Sequence, residues 1–174
     1  SAVHDYANKL NIPIRFPVKL DEESEINHLK RLKPDLVVVV AYGKILPKKL
    51  LNIENLSFLN VHASLLPRWR GAAPIQRAII AGDKETGISI MKIVPKLDAG
   101  PVLIQSKLPI SNKINYEEMS EKMSDLGAKL IIDALELIKN NKANFTPQNE
   151  TEVTYAKKIE KIESKINWNE SAEK

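Results

Sequence analysis

Five consecutive residues, Leu36-Val37-Val38-Val39-Val40, constrain this chain more than any other stretch. A continuous β-branched run, unlike an alternating one, marks a parallel strand buried on both faces. The residues before it supply the rest of a βαβ unit. Ile12-Pro13-Ile14-Arg15-Phe16 reads as a short strand, with Pro13 tolerated near its start. Asp21 to Leu32 reads as a helix: its acidic first turn suits the helix dipole, and Ile26, Leu29 and either His28 or Leu32 give apolar spacing. Pro34 stops it. Strand, helix, strand in that order predicts a right-handed crossover in an open α/β sheet.

The chain continues in the same style. Lys44 to Leu51 is expected to be a short helical segment with Pro47 in its first turn. Leu56 to His62 reads as a strand, because its apolar and aromatic residues meet no breaker. A loop over Ala63 to Ala73 leads to a helix over Pro74 to Ala81, closed by Gly82. Thr86 to Val94 and Pro101 to Ile110 are two strands close enough in sequence to form an antiparallel pair. Asn115 to Asn140 is the longest helix. Asn115 and Glu118 have capping-box spacing, and Tyr116, Met119, Met123, Leu126, Leu130, Ala134 and Leu137 form its core stripe. After Asn144 the sequence turns polar. Lys157 to Lys174 reads as a charged linker, with Lys157, Lys158, Lys161 and Lys165 on a solvated helix face and Ile166 and Trp168 as an anchor.

The most reactive residues interrupt this apolar frame in one place, Asn60-Val61-His62-Ala63-Ser64-Leu65-Leu66-Pro67. Alternation along a strand puts Phe58, Asn60 and His62 on one face and Leu59 and Val61 on the other. Asn60 and His62 are therefore neighbours at the C-terminal end of a strand, where open α/β sheets place their sites. Either residue taken singly would simply satisfy local backbone groups; the pair, followed by a loop with Pro and Gly, points to a site. Asp98 in Asp98-Ala99-Gly100 reads on its own as a turn residue capping its backbone.

Composition removes several alternatives. At 174 residues the chain is long enough for one domain with a sizeable core. There is no cysteine, which excludes disulfides and thiolate chemistry. His4, His28 and His62 lack metal-ligand spacing, so no metal is expected. No apolar run reaches the roughly 20 residues of a membrane span, and the first ten residues lack a signal-peptide core, so a cytoplasmic location away from membranes is the default. The net charge of +4 and pI near 9.1 suit a polyanionic partner such as RNA. The chain opens with Ser1 and not Met, so it is expected to be a piece of something longer.

Three stretches carry a resemblance: Val37 to Pro47, Leu59 to Pro67, and Leu97-Asp98-Ala99-Gly100. Together they resemble the folate-dependent formyltransferases. Arg68-Trp69-Arg70-Gly71-Ala72-Ala73-Pro74-Ile75-Gln76-Arg77 resembles the branch acting on methionyl-tRNA, as do Gly87 to Met91, Val153 to Lys157 and Ile166-Asn167-Trp168. The resemblance implies a Rossmann-like sheet, mostly parallel with an antiparallel strand pair. It also implies transfer of the formyl group of 10-formyltetrahydrofolate to the α-amino group of methionine on initiator tRNA. The family's catalytic Asn, His and Asp fall on Asn60, His62 and Asp98. Its folate-contacting loop falls on Ser64, Leu65, Leu66 and Pro67, with Tyr42 and Gly43 beside the pterin and Arg68, Arg70 and Arg77 as phosphate contacts on tRNA. A monomer is expected. The family's first strand, with a Gly-Thr-Pro turn, and its C-terminal β-barrel are not found, which leaves residues 1–157 as a partial catalytic domain and 158–174 as a linker. Without that strand, Leu36–Val40 would expose a ladder edge and an apolar face.

The residue types suit the chemistry. An amine attacking a formyl carbonyl builds negative charge on oxygen, and the Asn60 amide and a His62 ring N–H are donors for it. Asp98 as carboxylate favours a protonated His62, or orients it, and can take a proton from the amine through water. Ser64 as nucleophile is the rival; leucines and a proline follow it, and the Gly-x-Ser-x-Gly elbow is absent. Trp69 suits either base stacking or loop packing. Competing functions are a sugar-amine formyltransferase, a formyl-folate hydrolase and a non-catalytic folate-binding fragment.

Overall fold

The computed structural model describes residues 2–166, 168, 169 and 171. The first elements are α1 (Ala2–Lys9), α2 (Glu23–Leu32), β1 (Leu36–Val40) and α3 (Lys48–Leu51). α2 carries Glu23 and Glu25 in its first turn and Lys30 and Arg31 in its last, the charge order that complements its dipole. Neither α1 nor α2 buries a side chain. The strand expected over residues 12–16 does not form. Pro13 and Pro17 remove ladder donors, and no described strand lies alongside as a partner. The helix expected from Lys44 begins only at Lys48, because Pro47 sits outside it in an extended conformation.

The second group is β2 (Ser57–His62), β3 (Arg70–Gly71), α4 (Pro74–Ile80), β4 (Glu85–Lys92), β5 (Val102–Pro109), α5 (Tyr116–Lys139) and β6 (Tyr155–Ala156). The main sheet has the order β1-β2-β4-β5. β1 and β2 are parallel, while β4 runs antiparallel to both β2 and β5. Three of the four strands thus share a direction. The β4–β5 pair is the expected antiparallel one; the β2–β4 pairing has no local sequence signal. β1 is an edge strand, so burial on both of its faces fails: Val38 and Val40 are 40% and 61% exposed.

The core lies where β2 and β4 face α5. Leu59, Ile88 and Ile90 from the sheet meet Met119, Met123, Leu130 and Ala134 from the helix, all nearly inaccessible to water. Each of the larger of these side chains contributes roughly 1.5–3 kcal/mol by leaving water, and Ala134 less. Gly127 sets how closely the helix approaches, because a Cβ there would stand 3.2 Å from Val61 Cγ1. α5 starts from the expected capping box: Asn115 Oδ1 accepts from the Glu118 amide at 3.0 Å, and the Glu118 carboxylate accepts from the Asn115 amide. Tyr116, the first residue of α5, is 49% exposed and stands outside the core stripe expected of it.

The polar segment after Asn144 returns across the molecule. Thr146 bridges Val102, and β6 pairs parallel with β3. Residues 161–164 form a 3-10 turn, so the lysines from 157 to 165 do not share a helix face. Ile166 and Trp168 are 68% and 85% exposed, and the expected anchor does not form. Arg77 does that work instead. It donates to the carbonyls of Lys157 and Lys158 and pairs with Glu163 through two nitrogens.

Candidate active site

β2 delivers Asn60 and His62 to its C-terminal end, as alternation requires. Both line a cavity of about 850 Å³, together with Tyr42, Gly43, Gly71 and Asp98. Asp98 arrives from the irregular connection between β4 and β5 and takes a left-handed φ of 45°. That backbone is uncommon without glycine, though aspartate tolerates it better than most residues.

Three atoms fix the geometry around His62, which is buried at 5% exposure. Its Nε2 lies 2.9 Å from the Trp69 carbonyl oxygen. A carbonyl only accepts, so Nε2 carries a hydrogen and donates it. Its Nδ1 lies 3.7 Å from Asp98 Oδ2, close enough for charge attraction and too far for a direct hydrogen bond. Asp98 Oδ2 accepts instead from the Gly71 amide at 2.9 Å. Gly71 has φ of 119° and lies so near β6 that a Cβ would stand 2.9 Å from the Ala156 carbonyl oxygen. Nε2 is therefore tied as a donor to the Trp69 carbonyl, while Nδ1 faces the Asp98 carboxylate without a direct hydrogen bond.

The Ser64–Pro67 loop, for which a folate-contacting role is expected, is not among the residues that line this cavity. Ser64 and Leu66 are 0% and 5% exposed. The Ser64 hydroxyl donates to the Arg68 carbonyl at 2.6 Å, a structural use that leaves no free nucleophile. Ser89 on β4 donates to the Ser64 carbonyl and accepts from the Leu66 amide and from Gln105. Gln105 on β5 also donates to the Leu66 carbonyl. The loop is therefore pinned onto the sheet behind the site, and its contribution there is to shape the turn that carries Trp69.

The arginines also find internal partners. Arg70 is wholly buried, with Nε on Gln148 and Nη2 on Glu150, so it cannot reach a phosphate backbone as expected. Arg77 is committed to Lys157, Lys158 and Glu163, so its expected phosphate contact is likewise taken up. Arg68 is half exposed. It forms two hydrogen bonds to Asp83 and lies 4.4 Å over the Trp69 ring. Burial would raise the Asp83 carboxyl, but the hydrogen bonds from Arg68 and the Trp69 indole hold it below its usual range. Trp69 thus packs its loop. The residues that local patterns did not reveal are the Trp69 carbonyl, the Gly71 amide, Ser89, Gln105, Gln148 and Thr154, whose hydroxyl accepts from the Trp69 amide. Trp69, Gly71, Ser89 and Thr154 lie within stretches that carried the resemblance, which gave none of them a role; Gln105 and Gln148 carried no signal.

Among the described residues, no helix is long and apolar enough to cross a membrane. The chain is 49% identical over 174 residues to methionyl-tRNA formyltransferase of Pelagibacter ubique, covering 99% of this chain and 56% of that protein. It is 48% identical over 172 residues to the methionyl-tRNA formyltransferase of Coxiella burnetii, covering 99% of this chain and 55% of the relative. The chain therefore spans about half the length of the curated relatives it matches. Among solved structures, phosphoribosylglycinamide formyltransferase from Bacillus halodurans superposes with a TM-score of 0.65 at 27% identity, over 75% of this chain and 71% of that one. HypX from Aquifex aeolicus in complex with tetrahydrofolic acid gives a TM-score of 0.73 at 19% identity, over 84% of this chain and 25% of that one, a likeness of fold alone. The family described as formyl transferase matches residues 6–135, and with the fold and these relatives this shows that the chain belongs to the formyl transferase family.

Proposed function

We propose that this chain is the formyl-transferring part of an enzyme that formylates the α-amino group of methionine on initiator tRNA. The formyl donor is 10-formyltetrahydrofolate, which supplies an activated one-carbon unit at the formyl oxidation level. The observation that carries this reading is the convergence of Asn60, His62 and Asp98 on one cavity, with His62 and Asp98 3.7 Å apart. The likeness of nearly the whole chain to methionyl-tRNA formyltransferases selects the acceptor.

The cavity's size suits a folate, since small-molecule sites typically measure about 300–1,000 Å³. Tyr42 and Gly43 lie on an irregular segment beside it, where backbone groups outside any ladder can meet a flat heterocycle. The Asn60 amide donates to the oxygen on which charge grows during acyl transfer, and of the two His62 nitrogens only Nδ1, which makes no direct hydrogen bond, is left to join it. Asp98 keeps His62 oriented, and it accepts the amine proton through a water. Ser64, Leu65, Leu66 and Pro67 shape the site from behind. Arg68, the most exposed of the three arginines, is the phosphate contact retained for tRNA.

The test uses the protein that carries this chain, purified with His62→Ala, Asp98→Asn or Asn60→Ala. Each is expected to lose on the order of 10²–10⁴ in turnover of Met-tRNA, with thermal unfolding unchanged. Near-normal turnover of either the His62 or the Asp98 variant removes that residue from the mechanism. Formylation of an amino sugar in place of Met-tRNA would overturn the acceptor.

A further inference from the structure

Gln148 sits fifty residues from Asp98 in the polar segment that follows α5, yet it holds the Asp98 turn directly. Its Nε2 donates to the Asp98 carbonyl at 2.8 Å and to the Gly100 carbonyl at 2.7 Å. Its Oε1 accepts from Arg70 Nε at 2.9 Å. Since Arg70 only donates, that contact fixes which end of the amide is oxygen and leaves both Nε2 hydrogens for the two carbonyls. Arg70 is itself locked: wholly buried, it reaches Glu150, whose other oxygen pairs with Lys96 in the same turn as Asp98. The turn is thus gripped on both sides of Asp98 by one short segment.

That grip matters because the backbone at Asp98 does not hold itself. Its φ of 45° belongs to a sparsely populated region for a residue with a side chain. The carboxylate direction depends on this φ, and with it the contacts to the Gly71 amide and to His62.

We propose that Gln148 is a positioning residue, whose amide clamps the Asp98 turn so that the carboxylate stays between His62 and the Gly71 amide. Its catalytic consequence rests on the formyl-transfer role proposed above; its geometric consequence does not. Gln148 touches no substrate in this scheme and acts only through Asp98.

Two variants test it in the protein that carries this chain. Gln148→Leu removes both donors and the acceptor. Gln148→Glu removes the donors but leaves an acceptor for Arg70, which guards against a folding defect. Amide-resolved hydrogen exchange reads the geometry without any turnover. In both variants the Gly71 amide is expected to exchange about tenfold faster or more, with amides in the centre of β4 unchanged. Turnover is expected to fall roughly 10–100-fold with KM for the formyl donor within about twofold, as misplacement near 1 Å can cost that much. In an Asp98→Asn background, removing Gln148 should change turnover by less than about threefold, because the group it positions is already lost.

Unchanged Gly71 exchange would overturn the clamp. Faster exchange with unchanged turnover would overturn the positioning role, as would an equal loss in the Asp98→Asn background. A wild type that transfers no formyl group would overturn the function proposed above instead, and the Gly71 measurement would still decide the clamp.

Discussion

The chain before Leu50 and the chain after it are built from similar material and packed in opposite ways. Residues 2–49 include two amphipathic helices and an all-apolar strand, yet none of their side chains is buried. Leu10, Phe16, Val18 and Leu32 are all more than half exposed. After Leu50 the same residue types disappear into β2, β4 and α5. The difference lies in partners, not in propensity. A helix or strand forms on local pattern, but its apolar side contributes stability only when another element covers it.

The sharpest way to break this contrast is a matched pair of truncations. Leu59→Ala, at a position with no exposure, should cost about 3–5 kcal/mol in urea unfolding. Leu10→Ala, at 54% exposure, should stay within about 0.5 kcal/mol. Comparable losses at the two sites would show that the turn after α1 is packed after all.

A second pair probes space. A Cβ at Gly100 would meet the Lys92 carbonyl oxygen at 1.8 Å, so Gly100→Ala must push the Asp98 turn away from β4. It should cost about 1–3 kcal/mol and lower turnover. At Gly43 nothing lies within 4 Å of the added carbon, so Gly43→Ala should leave unfolding nearly unchanged. A neutral Gly100→Ala would mean that the turn yields more easily than its hydrogen bonds suggest.

The smallest effect is that of acid. Hydrogen bonds from Arg70 and Lys96 hold the Glu150 carboxyl at about 2. Arg77, followed by the Glu160 amide, holds Glu163 at about 2. Both values lie below the ordinary 4.5, so the folded state favours the ionised form. Their contribution is complete above about pH 5 and is lost as pH falls from about 4.5 towards 2. Hydrogen exchange should therefore show residues 146–164 loosening in that window while β2 and β4 stay protected. In the first part of the chain, Arg15 likewise lowers Glu25, so the coil beside α2 should loosen over part of the same range. Loosening on raising the pH through neutrality would contradict the assignment for either pair.

The longer elements of the second region were legible because they carry local signals, whereas the two-residue strands β3 and β6 carry none. Asn115 and Glu118 announce the start of α5, Gly82 follows α4, and the short link through Asp98 implies that β4 and β5 pair antiparallel. The strand expected at residues 12–16 failed for want of a neighbour, which no local pattern reports. The arginine loop misled for a related reason. Arg68, Arg70 and Arg77 look alike in sequence, and only packing distinguishes the buried Arg70 from the half-exposed Arg68. Nothing about Gln148, in a polar stretch after Pro147, marks it as a partner of Asp98.

By itself, then, the sequence determined most of the longer helices and strands, and that Asn60 and His62 share a face at a strand's end. Those are consequences of periodicity over a few residues. Tertiary structure alone decided that Asp98 meets His62, that Ser64 and Leu66 are pinned by Ser89 and Gln105, and that Arg70 and Gln148 support the Asp98 turn. Such contacts join residues tens of positions apart. They are settled by which surfaces bury one another and which polar groups must then find partners, and neither is written in any short stretch of chain.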